Sequence, residues 1–328
     1  MFSLHAVKKS VSHVCCLGLF TLAAHSVYAA ETAPIKMGVE PWLGYGQWHI
    51  ASAKGLFAKS GLNKVEVINF AEDKDINAAL ASGQIDAANI ATHTAMGMIS
   101  AGLPVKIVLV LDQSNTADAI LASKEVGSVK ELKGKQVAYE EGTTSDILLR
   151  SALASAGLSF SDIKPVPMPA ASAGSAILAG RVPVAVTYEP YLSVAKKSDP
   201  SIKMLYSGSS DPGLISDVLV VRDDFIKSHP DEIKALIKTW GAALDFYNAN
   251  TTEGRAIISK AVGATPEDLD TAFDGVKYFT LSENKAYFSH DFTTKTFPHI
   301  LKAATEAGIV TQPVTPAQTI DAEFANQQ

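Results

Sequence analysis

Glu40, Glu140, Glu141, Glu189 and Asp217 fall in or beside loops that follow short β-prone apolar runs, and those loops hold no Lys or Arg. Carboxylates are costly to bury without a partner, so such a group calls for positive charge supplied from outside the chain. Trp42 and Tyr45 stand in the first of these loops, where an aromatic face can stack on a flat or cationic group. Gly142-Thr143-Thr144-Ser145-Asp146 precedes a helical run, so backbone N–H groups and hydroxyls can converge on an anionic or polar oxygen. N-capping by Ser145 or Asp146 accounts for the same residues. Thr92 and His93 follow another apolar run, where polar side chains either line a cleft or cap a helix. Glu189 precedes Pro190, a helix-starting residue, so it serves either a ligand or the helix N-terminus. Asp217 lies at a crossover beside the cleft, where the alternative is hydrogen bonding to hinge backbone. The chemistry these residues suit is recognition of an ammonium or a guanidinium. A zwitterion would place its anionic end at the Gly142–Ser145 corner.

Catalytic chemistry is poorly represented. Gly-x-Ser-x-Gly, His-Glu-x-x-His and Gly-x-x-x-x-Gly-Lys are absent. His49, His93, His229, His290 and His299 show no metal-ligand spacing, so neither a metal nor another cofactor is expected. The N-terminus carries Lys8 and Lys9, an apolar run Val14–Ala24 too short to span a bilayer, and small residues at Val27-Tyr28-Ala29-Ala30. This pattern is a secretory signal peptide over residues 1–29, with cleavage near Ala29/Ala30. Both cysteines, Cys15 and Cys16, leave with it, which excludes disulfides and thiolate chemistry from the mature chain. Loss of the two lysines takes the formal net charge from −6 to −8. An acidic exported chain argues against nucleic acid or an anionic membrane surface as partner.

The elements that must position these side chains are organised by an internal repeat. Residues 78–92, AALASGQIDAANIAT, and 175–189, SAILAGRVPVAVTYE, both run from helix through glycine into a short strand, with Gly83 and Gly180 97 positions apart. That spacing is a domain spacing, and it predicts two α/β halves facing across a cleft. Strands are expected at Ile35–Val39, Val65–Phe70, Val105–Leu111, Gln136–Tyr139, Val184–Tyr188, Lys203–Tyr206 and Val218–Val221, alternating with helices as in mainly parallel sheets. Ligands in such sheets sit beyond the carboxyl ends of strands. Lobe 1 is expected over 30–121 and 218–328, lobe 2 over 122–217. Aligning the repeat places Pro183 on Asp86 and Glu189 on Thr92, so strand pairing at Pro183 is expected to be weaker.

Pro41-Trp42-Leu43-Gly44-Tyr45, Ala53-Lys54-Gly55-Leu56-Phe57, Ala81-Ser82-Gly83-Gln84-Ile85-Asp86-Ala87, Leu132-Lys133-Gly134-Lys135-Gln136-Val137-Ala138, Glu141-Gly142-Thr143-Thr144-Ser145, Tyr188-Glu189-Pro190-Tyr191 and Asp217-Val218-Leu219-Val220-Val221-Arg222 occur in that order. Together they resemble the periplasmic substrate-binding proteins of ABC importers, in the sulfonate/taurine/nitrate group with the NMT1/THI5-like fold. The resemblance implies a type II periplasmic-binding-protein fold, α/β and two-lobed, with a ligand cleft between lobes. It further implies a monomer that delivers a small molecule to a membrane-embedded ABC permease and its ATPase. Glu40, Trp42, Tyr45, Thr92, His93, Thr143, Thr144, Glu189 and Asp217 are the expected ligand-binding residues. The loop charges favour a cationic or zwitterionic solute, taurine-like or guanidinium/amine. Alkanesulfonate or nitrate binding is an alternative, as is a sensory receptor module that presents ligand to a membrane partner. The enzyme relative, the thiamine-pyrimidine synthase, uses a cysteine-rich segment that the mature chain lacks, so no enzymatic activity is expected.

Overall fold

The computed structural model describes residues 34–62 and 64–326. The expected signal peptide and its cleavage site lie outside the described residues. Eleven strands follow one another among the described residues: β1 Ile35–Val39, β2 Val65–Asn69, β3 Ala87–Ala91, β4 Val105–Ser114, β5 Asp118–Ala122, β6 Gln136–Tyr139, β7 Lys164–Pro167, β8 Val184–Tyr188, β9 Lys203–Ser207, β10 Ser216–Arg222 and β11 Val276–Tyr278. They form two sheets, ordered β11-β4-β10-β3-β1-β2 and β7-β6-β8-β5-β9. The longest apolar runs, in β4 and β10, are nearly continuous in Val, Ile and Leu and pair with each other inside the first sheet. Strands covered on both faces need no alternation of polar residues.

The sheets are mixed rather than mainly parallel. β1 pairs parallel with β2 and β3, whereas β10 runs antiparallel to β3 and β4, and β11 antiparallel to β4. In the second sheet β6 pairs parallel with β7 and β8, while β5 runs antiparallel to β8 and β9. The cause is the crossover strands. The chain leaves the first sheet after β4, enters the second as β5 and returns as β10, so each crossover strand meets its new sheet against the local direction. The passages fall at 115–117 and 208–215. β5 therefore belongs wholly to the second sheet, although a lobe break at 121/122 would have split it from its partners.

The two copies of the repeat adopt one local plan. The helix Asp73–Ser82 places Asp73 and Asp75 in its first turn, where acids complement the helix dipole. Its buried Ile76, Ala79 and Leu80 recur at helical spacing and pack with Ile85 and Ala88. Burying Ile76 or Leu80 contributes about 2 kcal/mol each. The helix closes at Gly83 with φ of 76°, left-handed backbone that glycine adopts without a Cβ penalty. The second copy runs Ala170–Leu178 into Gly180, with φ of 65°. Pro183 leaves the following strand intact: β8 pairs on both sides from Val184 onward, and the Pro183 carbonyl accepts from Ser123 N–H at 2.9 Å.

The likeness extends to whole sheets. Read from the edge, β2-β1-β3-β10-β4 matches β7-β6-β8-β5-β9, with parallel pairing through the first three strands and antiparallel pairing thereafter. Two aromatic and aliphatic cores lie beside the first sheet; one is built around Trp48, Trp240 and Leu43, the other around Ile107, Phe292 and Phe297. The second of these continues into the second sheet through Ile120, Val137 and Leu148.

Candidate functional site

A cavity of about 60 Å³ is lined from both sheets. Since about 10–15 Å³ holds one water, it accommodates a solute of a few heavy atoms. The loop after β1 contributes Glu40, Trp42 and Tyr45, and the loop after β2 contributes Glu72 and Asp73. Asp118 opens β5, and Asp217 lies at the start of β10. From the second sheet come Glu140, Thr143, Thr144 and Ser145 after β6, Pro169 to Ala171 after β7, and Thr187 and Tyr188 at the end of β8. Every loop thus sits beyond a strand's carboxyl end or on a crossover strand, where α/β sheets present ligands.

No Lys or Arg lines this cavity. Burial pushes the Glu40 carboxyl well above the usual carboxylate range, and the negative charges of Asp73, Asp217 and Glu140 add to the effect. Burial also raises Asp73, partly offset by a hydrogen bond from Glu40. Asp217 is pushed well up by burial and then by Asp112, Asp118 and Asp73, with the Tyr45 hydroxyl opposing. Asp118 is raised to about 7, chiefly by burial, with the charges of Glu189 and Asp73 contributing and Ser114 opposing. Burial raises Glu140, while the Ala170 N–H, at 2.8 Å from its Oε2, pulls the other way. In each case burial is the largest cause; other acids add to it at Glu40, Asp118, Glu140 and Asp217, and the exposed Lys74, which pairs with Glu72, opposes it at Glu140. Glu40 Oε1 is buried without a hydrogen-bond partner.

Aromatic walls frame the acids. Trp42 meets Tyr188 edge-to-face at 6.0 Å, and Tyr188 meets Tyr191 at 5.3 Å. The Trp42 indole donates to Asp112 Oδ1 at 3.2 Å, and Asp112 Oδ2 is buried without a partner. Gly44 makes this contact feasible, because a Cβ there would lie 2.1 Å from Asp112 Oδ2 and 2.2 Å from Trp42 Nε1.

Six of the nine residues expected from sequence, Glu40, Trp42, Tyr45, Thr143, Thr144 and Asp217, line the cavity. Thr92, His93 and Glu189 do not. Thr92 begins the helix Thr92–Ser100, and its Oγ1 donates to the Ser216 carbonyl at 2.7 Å, tying that helix to β10. His93 is buried in the same helix, and burial lowers it to about 4, a neutral imidazole. Glu189 accepts from Ser193 N–H at 3.0 Å and from Ser193 Oγ at 2.8 Å, so it caps the helix Tyr191–Ser198. The choice left open at the helix start after Gly142 falls to Thr143, whose Oγ1 accepts from Ser145 N–H at 3.2 Å. Asp146 Oδ2 accepts from Gly142 N–H at 3.1 Å, and its Oδ1 pairs with Arg150 at 2.6 Å.

Asp73, Asp118 and Tyr188 are cavity residues absent from the expected set. Asp73 follows β2 as Glu40 follows β1, so the rule of strand carboxyl ends applied to every strand finds it. Asp118 has no such signal, since β5 is short and lies next to a crossover that sequence placed elsewhere.

Among the described residues no helix is long and apolar enough to cross a membrane. A binding protein of Brucella abortus (strain 2308) is 27% identical over 261 residues, covering 79% of this chain and 81% of that protein. The taurine-binding periplasmic protein of Escherichia coli (strain K12) is 24% identical over 271 residues, covering 81% and 85%. The ligand-binding component of an ABC-type import system from Staphylococcus aureus superposes with a TM-score of 0.75 at 18% identity, over 90% of this chain and 99% of that one. A model of the family described as NMT1/THI5 like matches residues 46–253, and the chain belongs to that family.

Proposed function

We propose that the protein is the periplasmic solute-binding component of an ABC importer, and that it captures a small solute bearing positive charge. One observation carries the choice of solute: Glu40, Asp73, Asp118, Glu140 and Asp217 line one small cavity that no Lys or Arg lines. A cation entering that space replaces lost hydration with carboxylate hydrogen bonds and relieves the repulsion among the acids. Trp42 and Tyr188 supply aromatic surface to the same guest. Residues from both sheets contact it, so binding favours the arrangement in which the lobes enclose it, with the 115–117 and 208–215 passages as hinges. The loaded protein then presents its cargo to the permease.

Taurine is the second reading, favoured by the 24% identical taurine-binding relative. Its ammonium would meet the carboxylates. Its sulfonate would need donors at the Gly142–Ser145 corner, where Gly142 and Ser145 N–H groups already bond within the chain. Calorimetric titration of the ligand-free protein with guanidinium, methylammonium, taurine, ethanesulfonate and nitrate tests the proposal. Binding by at least one cationic or zwitterionic compound, recovered chemically unchanged, is expected. Saturable binding of nitrate or ethanesulfonate alone overturns it.

A further inference from the structure

The acids of the cavity are distributed symmetrically. β1 and β6 occupy equivalent places in the two sheets, and each is followed at once by a glutamate, Glu40 and Glu140. β10 and β5 are the equivalent crossover strands, and each carries an aspartate at its start, Asp217 and Asp118. Two pairs of carboxylates therefore face the cavity from opposite lobes, with Asp73 as a fifth. A zwitterion has unlike ends and needs a site with unlike ends. This site has acids at both, and at the Gly142–Ser145 corner Asp146, 1% exposed, already accepts the Gly142 N–H.

The number and spread of acceptors narrow the guest further. An ammonium group offers three donors, whereas a guanidinium offers a planar fan of N–H groups directed to several sides. Carboxylates from five separate loop and strand positions suit the fan. Among the described residues no group of three or more His, Cys, Asp or Glu could hold a metal ion. The edge-to-face pair Trp42 and Tyr188 adds aromatic wall against which a flat cation can stack.

Resting on the proposed cation-binding role, we infer that the ligand is a small planar guanidinium-class cation without an anionic tail, held between the Glu40/Asp217 and Glu140/Asp118 pairs. Thermal unfolding and calorimetry of the mature protein test this with guanidinium chloride, urea, methylammonium, taurine, ethanesulfonate and nitrate. Concentrations up to about 5 mM stay far below the molar range in which guanidinium unfolds proteins. Guanidinium is expected to raise Tm by about 5 °C at 100 times its Kd, while urea, the neutral isostere, raises it not at all. Methylammonium and taurine are expected to bind at least 30-fold more weakly. Glu40→Gln and Glu140→Gln are expected to weaken guanidinium by comparable factors of 10 or more, as are Asp217→Asn and Asp118→Asn. Each variant's unliganded Tm checks that it folds. Taurine or methylammonium binding as tightly as guanidinium overturns the inference and leaves the cation-binding role standing. Preference for nitrate or ethanesulfonate, or no binding by any of these compounds, overturns both.

Discussion

Asp217 stands directly opposite Asp112 across the β10–β4 ladder, two buried carboxylates in register on the strand that returns from the second sheet. Like charges so placed oppose each other, and sheets avoid them unless something else requires it. The cavity accounts for the pair: Asp217 lines it, and Asp112 behind it holds the Trp42 indole.

Asp217→Asn should accordingly stabilise the empty protein, by about 1 kcal/mol, while weakening cation binding at least 10-fold. Chemical denaturation and calorimetry on the same preparation check both halves. A variant that is less stable and binds normally would contradict this account of Asp217.

Binding should strengthen with pH. Asp118, raised to about 7 mainly by burial, keeps a proton in the folded empty protein between its ordinary value of 3.8 and about 7, whereas the unfolded chain has lost it. The native state thus binds more protons in that window, so its stability falls as pH rises through it. Glu40 and Asp217, also raised well up by burial, act in the same direction. A cation competes with those protons, so affinity rises over the same interval. Below pH 6.5 the buried His93, lowered to about 4, works the other way, so the Tm of the empty protein should drop between pH 6.5 and pH 7.5 while the ligand-induced increment grows. An increment that shrinks with pH would show that the guest is not held by these acids.

Gly44→Ala should cost about 2–3 kcal/mol, because its Cβ would collide with Asp112 Oδ2 and Trp42 Nε1 and break their hydrogen bond. Loss of ligand affinity and a change in tryptophan emission should accompany it. Gly180→Ala meets no neighbouring atom, so only its left-handed φ of 65° opposes it, at about 1 kcal/mol and with affinity unchanged. Equal effects of the two substitutions on affinity would remove the packing argument for Gly44.

Glu189→Gln separates capping from binding. Its carboxylate meets Ser193 and not the cavity, so the variant should lose about 1 kcal/mol of stability and keep its affinity within about 2-fold. Glu140→Gln, at a residue that lines the cavity, should instead weaken binding 10-fold or more. Denaturant midpoints and titration isotherms read the two effects apart, and a Glu189 variant that binds 10-fold more weakly would return that residue to the site.

Local order was largely legible in the sequence because each element is locally consistent. The glycine that closes a helix, the first-turn acids and the Val/Ile runs all point the same way at Asp73–Ser82 and at β4. β7 was not legible: Lys164-Pro165-Val166-Pro167 carries two prolines, which a strand tolerates only at the edge it occupies here. β11 is three residues long and takes its form from pairing with β4, a contact no local pattern encodes. The same limit applied to the site. Glu40 and Asp217 declare themselves by their places beside strands, but Asp73 reads equally well as a first-turn helix acid. At Glu189 the helix cap and the ligand contact predict one residue type, and only the geometry around Ser193 divides them.

Because Glu40, Asp73 and Asp217 come from one lobe's strands and Glu140 and Asp118 from the other's, an empty cleft presents acids on both of its jaws, and these repel one another wherever they are ionised. Drawing the jaws together without cargo would require either doing work against that repulsion or taking up protons from solution. A cationic solute of the kind proposed would be the counter-ion that removes this spring. A permease that docks the shut form would then be engaged by loaded molecules in preference to empty ones, and unladen encounters would be rejected before any ATP is hydrolysed.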